Sequence, residues 1–385
     1  MIYLDNAAST PIHDQVLQEM LPYLQEQFGN PSSIHRLGRT AHRAIEKARK
    51  QIATLINANP NEILLTSGGT ESNNSAIFGV ANSSDKKHIV TSSIEHEAVL
   101  EPCKQLEKMG FDVTYVPVDR DGLIDPLNVA NSISSKTCLV SIMYANNEIG
   151  TIQPIENISK ICNEKNVLFH CDAIQAIGKV KVDVKALGID LLSISSHKIN
   201  GPKGVGALYI KDKTQINPYI LGGGQENGLR SGTENVAGIV GFGKACQIAH
   251  EKLYENILHM KKLQKSLIDK ILIEIPKVRL NGHAEKRIPN NLHMTFFGVN
   301  GEDLIIKLDE NGIASSTGSA CSVKIQKESH VLKSMGFSYD EISGSLRLTL
   351  GITNTDSEIT KTVEILKKVV TELRTFSPLG KKYGF

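Results

Sequence analysis

The 385-residue chain has six cysteines, and none stands in a Cys-x-x-Cys spacing. That absence speaks against a disulfide framework or a structural zinc site and fits a reducing compartment. No apolar run approaches the ~18 residues of a membrane span, and the sequence opens directly into Ile2-Tyr3-Leu4, without a charged and then apolar leader. Neither charge sign dominates: Lys and Arg number 43 against 41 Asp and Glu, a net charge of +2. Pairs such as Lys261-Lys262 and Lys381-Lys382 are too short to make a nucleic-acid patch. Internal repeats and low-complexity segments are also missing. These absences predict a cytoplasmic protein without membrane attachment or direct nucleic-acid binding. The length allows a large core and exceeds one typical domain, so two domains are expected.

The most informative segment present is Ser195-Ser196-His197-Lys198, followed by Gly201-Pro202-Lys203-Gly204-Val205-Gly206. A β-branched, serine-rich stretch over 189–196 predicts a strand, and the glycine-rich run after it predicts a turn. Lys198 therefore stands where strand becomes loop, a usual place for reactive groups on an α/β scaffold. A lone lysine is more often a solvated charge. Twenty-six residues upstream, however, Leu168-Phe169-His170-Cys171-Asp172-Ala173 reads as a buried strand ending in a carboxylate. If the two strands are neighbours, an amine and an acid emerge at one sheet edge. Pyridoxal phosphate requires that pair, the amine for an imine with its aldehyde and the acid to keep its ring nitrogen protonated.

A phosphate needs donors, and Gly68-Gly69-Thr70-Glu71-Ser72-Asn73-Asn74 opens a segment of helical apolar spacing after the run Ile63-Leu64-Leu65-Thr66-Ser67. Free N–H groups and the positive dipole end suit an anion there, Gly69 permits close approach and Thr70 adds a hydroxyl. His96, after a predicted strand over 88–91, is placed to stack on a planar cofactor. Asn146, in Met143-Tyr144-Ala145-Asn146-Asn147-Glu148-Ile149-Gly150, is placed to donate to a ring oxygen or a substrate carboxylate. Far downstream, Ala314-Ser315-Ser316-Thr317-Gly318-Ser319-Ala320-Cys321-Ser322 sets a thiol among small hydroxyl residues, an accessible loop cysteine. Cys138 and Cys246, in apolar surroundings, read as packing residues, and so does Cys171.

These motifs stand in order with Tyr3-Leu4-Asp5-Asn6-Ala7-Ala8, Gly29-Asn30-Pro31-Ser32-Ser33, Gln175, Arg230-Ser231-Gly232-Thr233 and Ser345-Leu346-Arg347-Leu348. Taken together, the chain resembles the pyridoxal-phosphate-dependent cysteine desulfurases of the NifS/IscS group, within the fold-type I aminotransferase-like enzymes, almost end to end. The resemblance implies roles residue by residue. Lys198 would carry the cofactor as a Schiff base, Asp172 would meet the pyridinium, Gln175 the ring hydroxyl and His96 the ring face. Gly69, Thr70, Ser195 and His197 would hold the phosphate, with Thr233 reaching the phosphate of a partner subunit in a homodimer. Asn146 and Arg347 would grip the substrate carboxylate. Cys321 would accept sulfur from L-cysteine as a persulfide, releasing L-alanine, with Lys198 and His96 moving protons.

The stretch after the thiol, Ser322-Val323-Lys324-Ile325-Gln326-Lys327-Glu328, and Gly351-Ile352-Thr353-Asn354 after the arginine depart from the group's usual pattern. They leave open which protein acceptor takes the sulfur: an iron–sulfur scaffold, a tRNA thiolation partner or a DNA phosphorothioation partner. A selenocysteine lyase and a sulfur-relay docking partner of low turnover are the rival readings.

The expected fold is α/β: a fold-type I large domain over 15–252 with a mostly parallel, helix-covered sheet, and a smaller α+β domain formed by 1–14 and 253–385 that carries the cysteine loop. Helices are expected at 41–56, 154–165 and 233–254, followed by a charged amphipathic helix over 253–275. Strands at 279–281, 291–297 and 345–350 and helices at 301–311 and 355–375 complete the smaller domain.

Overall fold

A computed structural model of the chain describes residues 1–318, 328–376 and 378–384. The strands are β1 (Ile2–Tyr3), β2 (Ile63–Thr66), β3 (His88–Ser92), β4 (Asp112–Val116), β5 (Thr137–Ser141), β6 (Leu168–Asp172), β7 (Leu191–Ser195), β8 (Gly206–Ile210), β9 (Val278–Asn281), β10 (Asn291–Phe296), β11 (Ile313–Ala314) and β12 (Ser345–Thr349). Seven of them form one sheet in the order β2-β8-β7-β6-β5-β3-β4. Every pairing from β7 to β4 is parallel, and β8 alone runs the other way.

The central strands are buried along their whole length, as a parallel sheet covered on both faces requires. One face packs Phe169, Cys171, Ile194 and Phe242 with the Arg36–Leu55 and Val236–Glu251 helices. The other packs Ile77, Val80, Val99 and Leu106 from the Gly69–Ser83 and Glu97–Lys108 helices.

A separate core joins Leu292, Met294, Leu346 and Leu348 of the sheet β12-β10-β9 to Leu263, Leu267 and Leu366 on long helices. Ile2 and Leu4 belong to this second core, because β1 pairs with β11. A further small apolar cluster includes Ile94, Met143, Val331, Leu332 and Phe337.

Two element boundaries move from their expected places. The helix expected from 41 begins at Arg36, five residues before the apolar periodicity starts, because the His35 side chain accepts from Gly38 N–H and caps it there. The long helical run over 233–275 is broken at Lys252, whose φ of −105° and ψ of 12° end the Val236–Glu251 helix before Leu253–Glu274 begins. Among the described residues no helix is long and apolar enough to cross a membrane.

Candidate active site

Because β2, β3, β5, β6 and β7 all point the same way, their carboxyl ends release their loops at one edge, where ligands of open α/β sheets bind. A cavity of about 650 Å³ lies there, within the usual range for small-molecule sites. Gly69, Thr70, His96, Asp172, Gln175, Ser195, His197, Lys198 and Arg347 all line it.

Asp172 is the last residue of β6, which pairs with β7 so that Asp172 faces Ser193. Lys198 follows within one turn of 3-10 helix, Ser196–Lys198, and so comes to the same edge. The Asp172 carboxylate accepts from Asn73 Nδ2 at 2.7 Å and from Ile174 N–H at 3.0 Å. Burial raises its pKa, while those bonds and the nearby His96 and Lys198 oppose the rise.

Lys198 Nζ donates to the carbonyls of Ala7 (2.5 Å) and Ala8 (2.9 Å). Burial lowers its pKa to about 8, Arg347 lowers it further, and Asp5 and Asp172 pull it back up. An amine so placed is partly neutral near physiological pH, the form in which it is nucleophilic and basic. Behind it, Gln175 Nε2 donates to the same Ala7 carbonyl (3.0 Å), and the buried Lys179 Nζ donates to Gln175 O (3.0 Å). Burial and the neighbouring Lys198 hold Lys179 down to about 7.

His96 caps the Glu97–Lys108 helix: its Nδ1 accepts Ala98 N–H at 3.0 Å. Burial lowers its pKa, so a neutral ring carries its proton on Nε2. At the helix that begins with Gly69, a Cβ on that residue would meet Ile174 Cδ1 at 2.2 Å, so a larger residue would push the Ile174 side chain aside where the helix end approaches the β6 loop. Glu71 holds this turn, bonded to Ser67 N–H (2.8 Å) and paired with Arg230 (2.9 Å). His197 Nδ1 lies 3.3 Å from Ser9 Oγ, and burial lowers that ring to about 4.

Three expected residues stand differently. Asn146 does not face the cavity: its Nδ2 donates to Ile94 O (2.9 Å), and its Oδ1 accepts from Glu148 and Ile149 N–H (2.8 and 3.0 Å). It is a buried turn-former whose Nδ2 also faces Met143 Sδ (3.4 Å), and its neighbour Asn147 lines the cavity instead. Thr233 is exposed and outside its own chain's cavity. Cys321 lies outside the described residues, but Ser316 and Gly318 before it and Glu328 and His330 after it all line the cavity. The other five cysteines are free and buried, and burial pushes thiols such as Cys103 up to about 12.

Sequence reasoning missed Asn73, Lys179 and two buried acids. Glu95 accepts from Ser92 Oγ (2.6 Å) and Met143 N–H (3.0 Å), leaves its other oxygen without a partner, and is raised by burial to about 8. Glu148 accepts from Ser329 Oγ at 2.5 Å, and burial raises it as well. The available signal was position: Asn73 sits one helical turn past Gly69, and Glu95 immediately precedes His96.

The aminotransferase class-V family model matches residues 2–362. The chain belongs to that family, whose members use pyridoxal phosphate. Within it, the chain belongs with the cysteine desulfurases: it is 49% identical over 384 residues to the cysteine desulfurase IscS of Dictyoglomus turgidum, covering 99% of this chain and 98% of that one. Among solved structures it is similar to a NifS-like protein (TM-score 0.91, 40% identity, 97% and 100% covered). It is also similar to SspA in complex with cysteine (TM-score 0.81, 38% identity, 92% and 100% covered).

The residues present fit the cofactor. They supply an amine of lowered pKa, a buried carboxylate whose two bonded donors are neutral, a helix N-terminus with Thr70, and an imidazole, all on one cavity. Bound there, pyridoxal phosphate supplies an electron sink for bonds broken at a substrate's Cα and Cβ.

Proposed function

We propose that this protein takes sulfur from L-cysteine onto Cys321, forming a Cys321 persulfide and L-alanine, and passes that sulfur to a protein that assembles iron–sulfur clusters. The balance is simple: the substrate C–S bond breaks, an S–S bond to Cys321 forms, and the proton that Cys321 loses is returned to the alanine carbon. The observation that carries this reading is one cavity bounded by Asp172 and Lys198 on one side and by Arg347 with the flanking residues of Cys321 on the other.

Arg347 holds the α-carboxylate through guanidinium N–H groups. Lys198, as a neutral amine, takes and returns the Cα proton, a role its lowered pKa supports. His96 moves a proton at its Nε2, since Nδ1 is committed to the helix cap. Asn73 holds Asp172 as an acceptor aimed by two hydrogen bonds. Gly69, Thr70, Ser195 and His197 receive the phosphate group. Exposed Thr233 serves the partner's site in a homodimer, in the cytoplasm. Two lobes, 15–252 and 1–14 with 253–385, are part of this reading, supported by their separate cores. The iron–sulfur destination is supported by the name IscS carried by a relative aligned over its whole length.

The test is the mass of the Cys321 peptide after L-cysteine without reductant, with alanine assayed in the same tube. One added sulfur together with alanine is the expected result, and Cys321→Ser removes the sulfur while keeping the cofactor's colour. Alanine without added sulfur overturns the acceptor and favours a lyase, and neither product favours a docking role. Sulfur transfer to a purified cluster scaffold protein tests the destination.

A further inference from the structure

Arg347 sits on the outer edge of β12, where three distant stretches converge. Its backbone pairs with Ser316, and Thr349, two residues on, bridges Asp5. The guanidinium donates from Nη1 to Asn147 O (3.0 Å) and Gly318 O (3.4 Å), and from Nη2 to the Asp5 carboxylate (2.8 Å). Its Nε has no partner among the described residues. Among the described residues Asp5 is the one carboxylate paired with Arg347. It is tied in place, since its carbonyl accepts from the Tyr3 hydroxyl (3.0 Å) and from Ala8 N–H (3.0 Å).

We propose that Asp5 is a specificity-determining counter-ion: by pairing with Arg347 at the cavity wall, it restricts the site to amino acids that carry a single carboxylate. The inference rests on Arg347 as the α-carboxylate site. Of the five guanidinium N–H groups, Nη1 is spent on Asn147 and Gly318 and Nε is buried, so an α-carboxylate takes the second Nη2 N–H beside Asp5. A second anionic group on the ligand finds a different field. Lys104 on the same cavity is already paired with Glu101 (2.7 Å), and Lys198 belongs to the cofactor. Asp5, Glu148 and Glu328 line the same space, and a like charge placed close to a partly buried carboxylate is strongly disfavoured.

L-Asparagine and L-aspartate have nearly the same shape and differ by one charge. Their binding to the cofactor-loaded enzyme is read from the cofactor's visible absorbance. The wild type is expected to hold L-asparagine about ten-fold more tightly or better, and Asp5→Asn to shrink that preference by about ten-fold. Asp5→Asn is also expected to lower the pH midpoint of cofactor capture by cofactor-free protein, because it removes a group that raises the Lys198 amine. An unchanged preference in Asp5→Asn overturns the proposal. So does a wild type that does not distinguish the two ligands, a result that needs no variant to fold. Arg347→Gln separates the two layers. If it binds L-asparagine as tightly as the wild type, the Arg347 reading fails and this inference with it. If it loses binding while Asp5→Asn keeps the wild-type preference, only the role of Asp5 fails.

Discussion

The side of the cavity at the edge of the seven-stranded sheet takes its groups from the ends of neighbouring strands, whereas the side at β12 joins Arg347 to Asp5 across 342 residues of sequence. On the first side, Asp172 is aimed by its own loop and His96 by the helix it caps, and the long-range support is confined to Asn73 on Asp172 and the Ala7 and Ala8 carbonyls on Lys198. On the second side, Arg347 is held by Asp5, Asn147 and Gly318, none of which it adjoins in sequence. Chemistry that must be rigid is thus built into one sheet, and recognition is left to a meeting of segments.

The sharpest way to break this contrast is Lys198→Ala. Alanine formation should fall at least about 10³-fold, and borohydride should no longer fix the cofactor to the protein, as intact mass will report. Next is Asn73→Ala, which removes a charge-assisted bond from Asp172, and activity should drop about ten- to hundred-fold. A loss as small as that of a surface substitution would mean that Asp172 is aimed by its loop alone.

The pH dependence of cofactor capture by cofactor-free protein offers a smaller but cleaner effect. Capture needs the neutral amine, so its rate should rise with pH and level off above a midpoint of about 8, well below the ordinary lysine value near 10.4. The smallest effect belongs to Glu95. Its folded pKa of about 8 lies above the unfolded value, so the folded state binds the extra proton between the two. Stability is therefore fully present at low pH and is lost as pH rises through about 8. Glu95→Gln keeps the acceptor for Ser92 and Met143 and removes that slope. Its melting temperature should exceed the wild type's by roughly 1–3 °C at pH 8 and match it near pH 4.

The contrast between the two sides also governs what could be read from sequence. The mostly parallel sheet and the placing of Asp172, Lys198 and Gly69 follow from local patterns, and the structure has those residues at one edge. Asn146 and Asn147 are identical neighbours in a turn, and only the three-dimensional path decides that the first is spent on Ile94, Glu148 and Ile149. Lys179 looks like any turn lysine until the burial of its amine against Gln175 is known. The pairing of Asp5 with Arg347 left no periodic or spacing signal, because β1 and β12 are brought together only by tertiary packing.

The segment from Tyr3 to Thr10 has a consequence for how the enzyme comes into being. It supplies carbonyls to Lys198, the carboxylate to Arg347 and a backbone bridge to Thr349, and Thr10 bonds to His197 O (2.8 Å). These residues leave the ribosome some 340 positions before their partner Thr349 (sequence separation 343 from Asn6) and must wait for it. A nascent chain therefore cannot close the Asp5–Arg347 wall of the cavity until β12 has been synthesised.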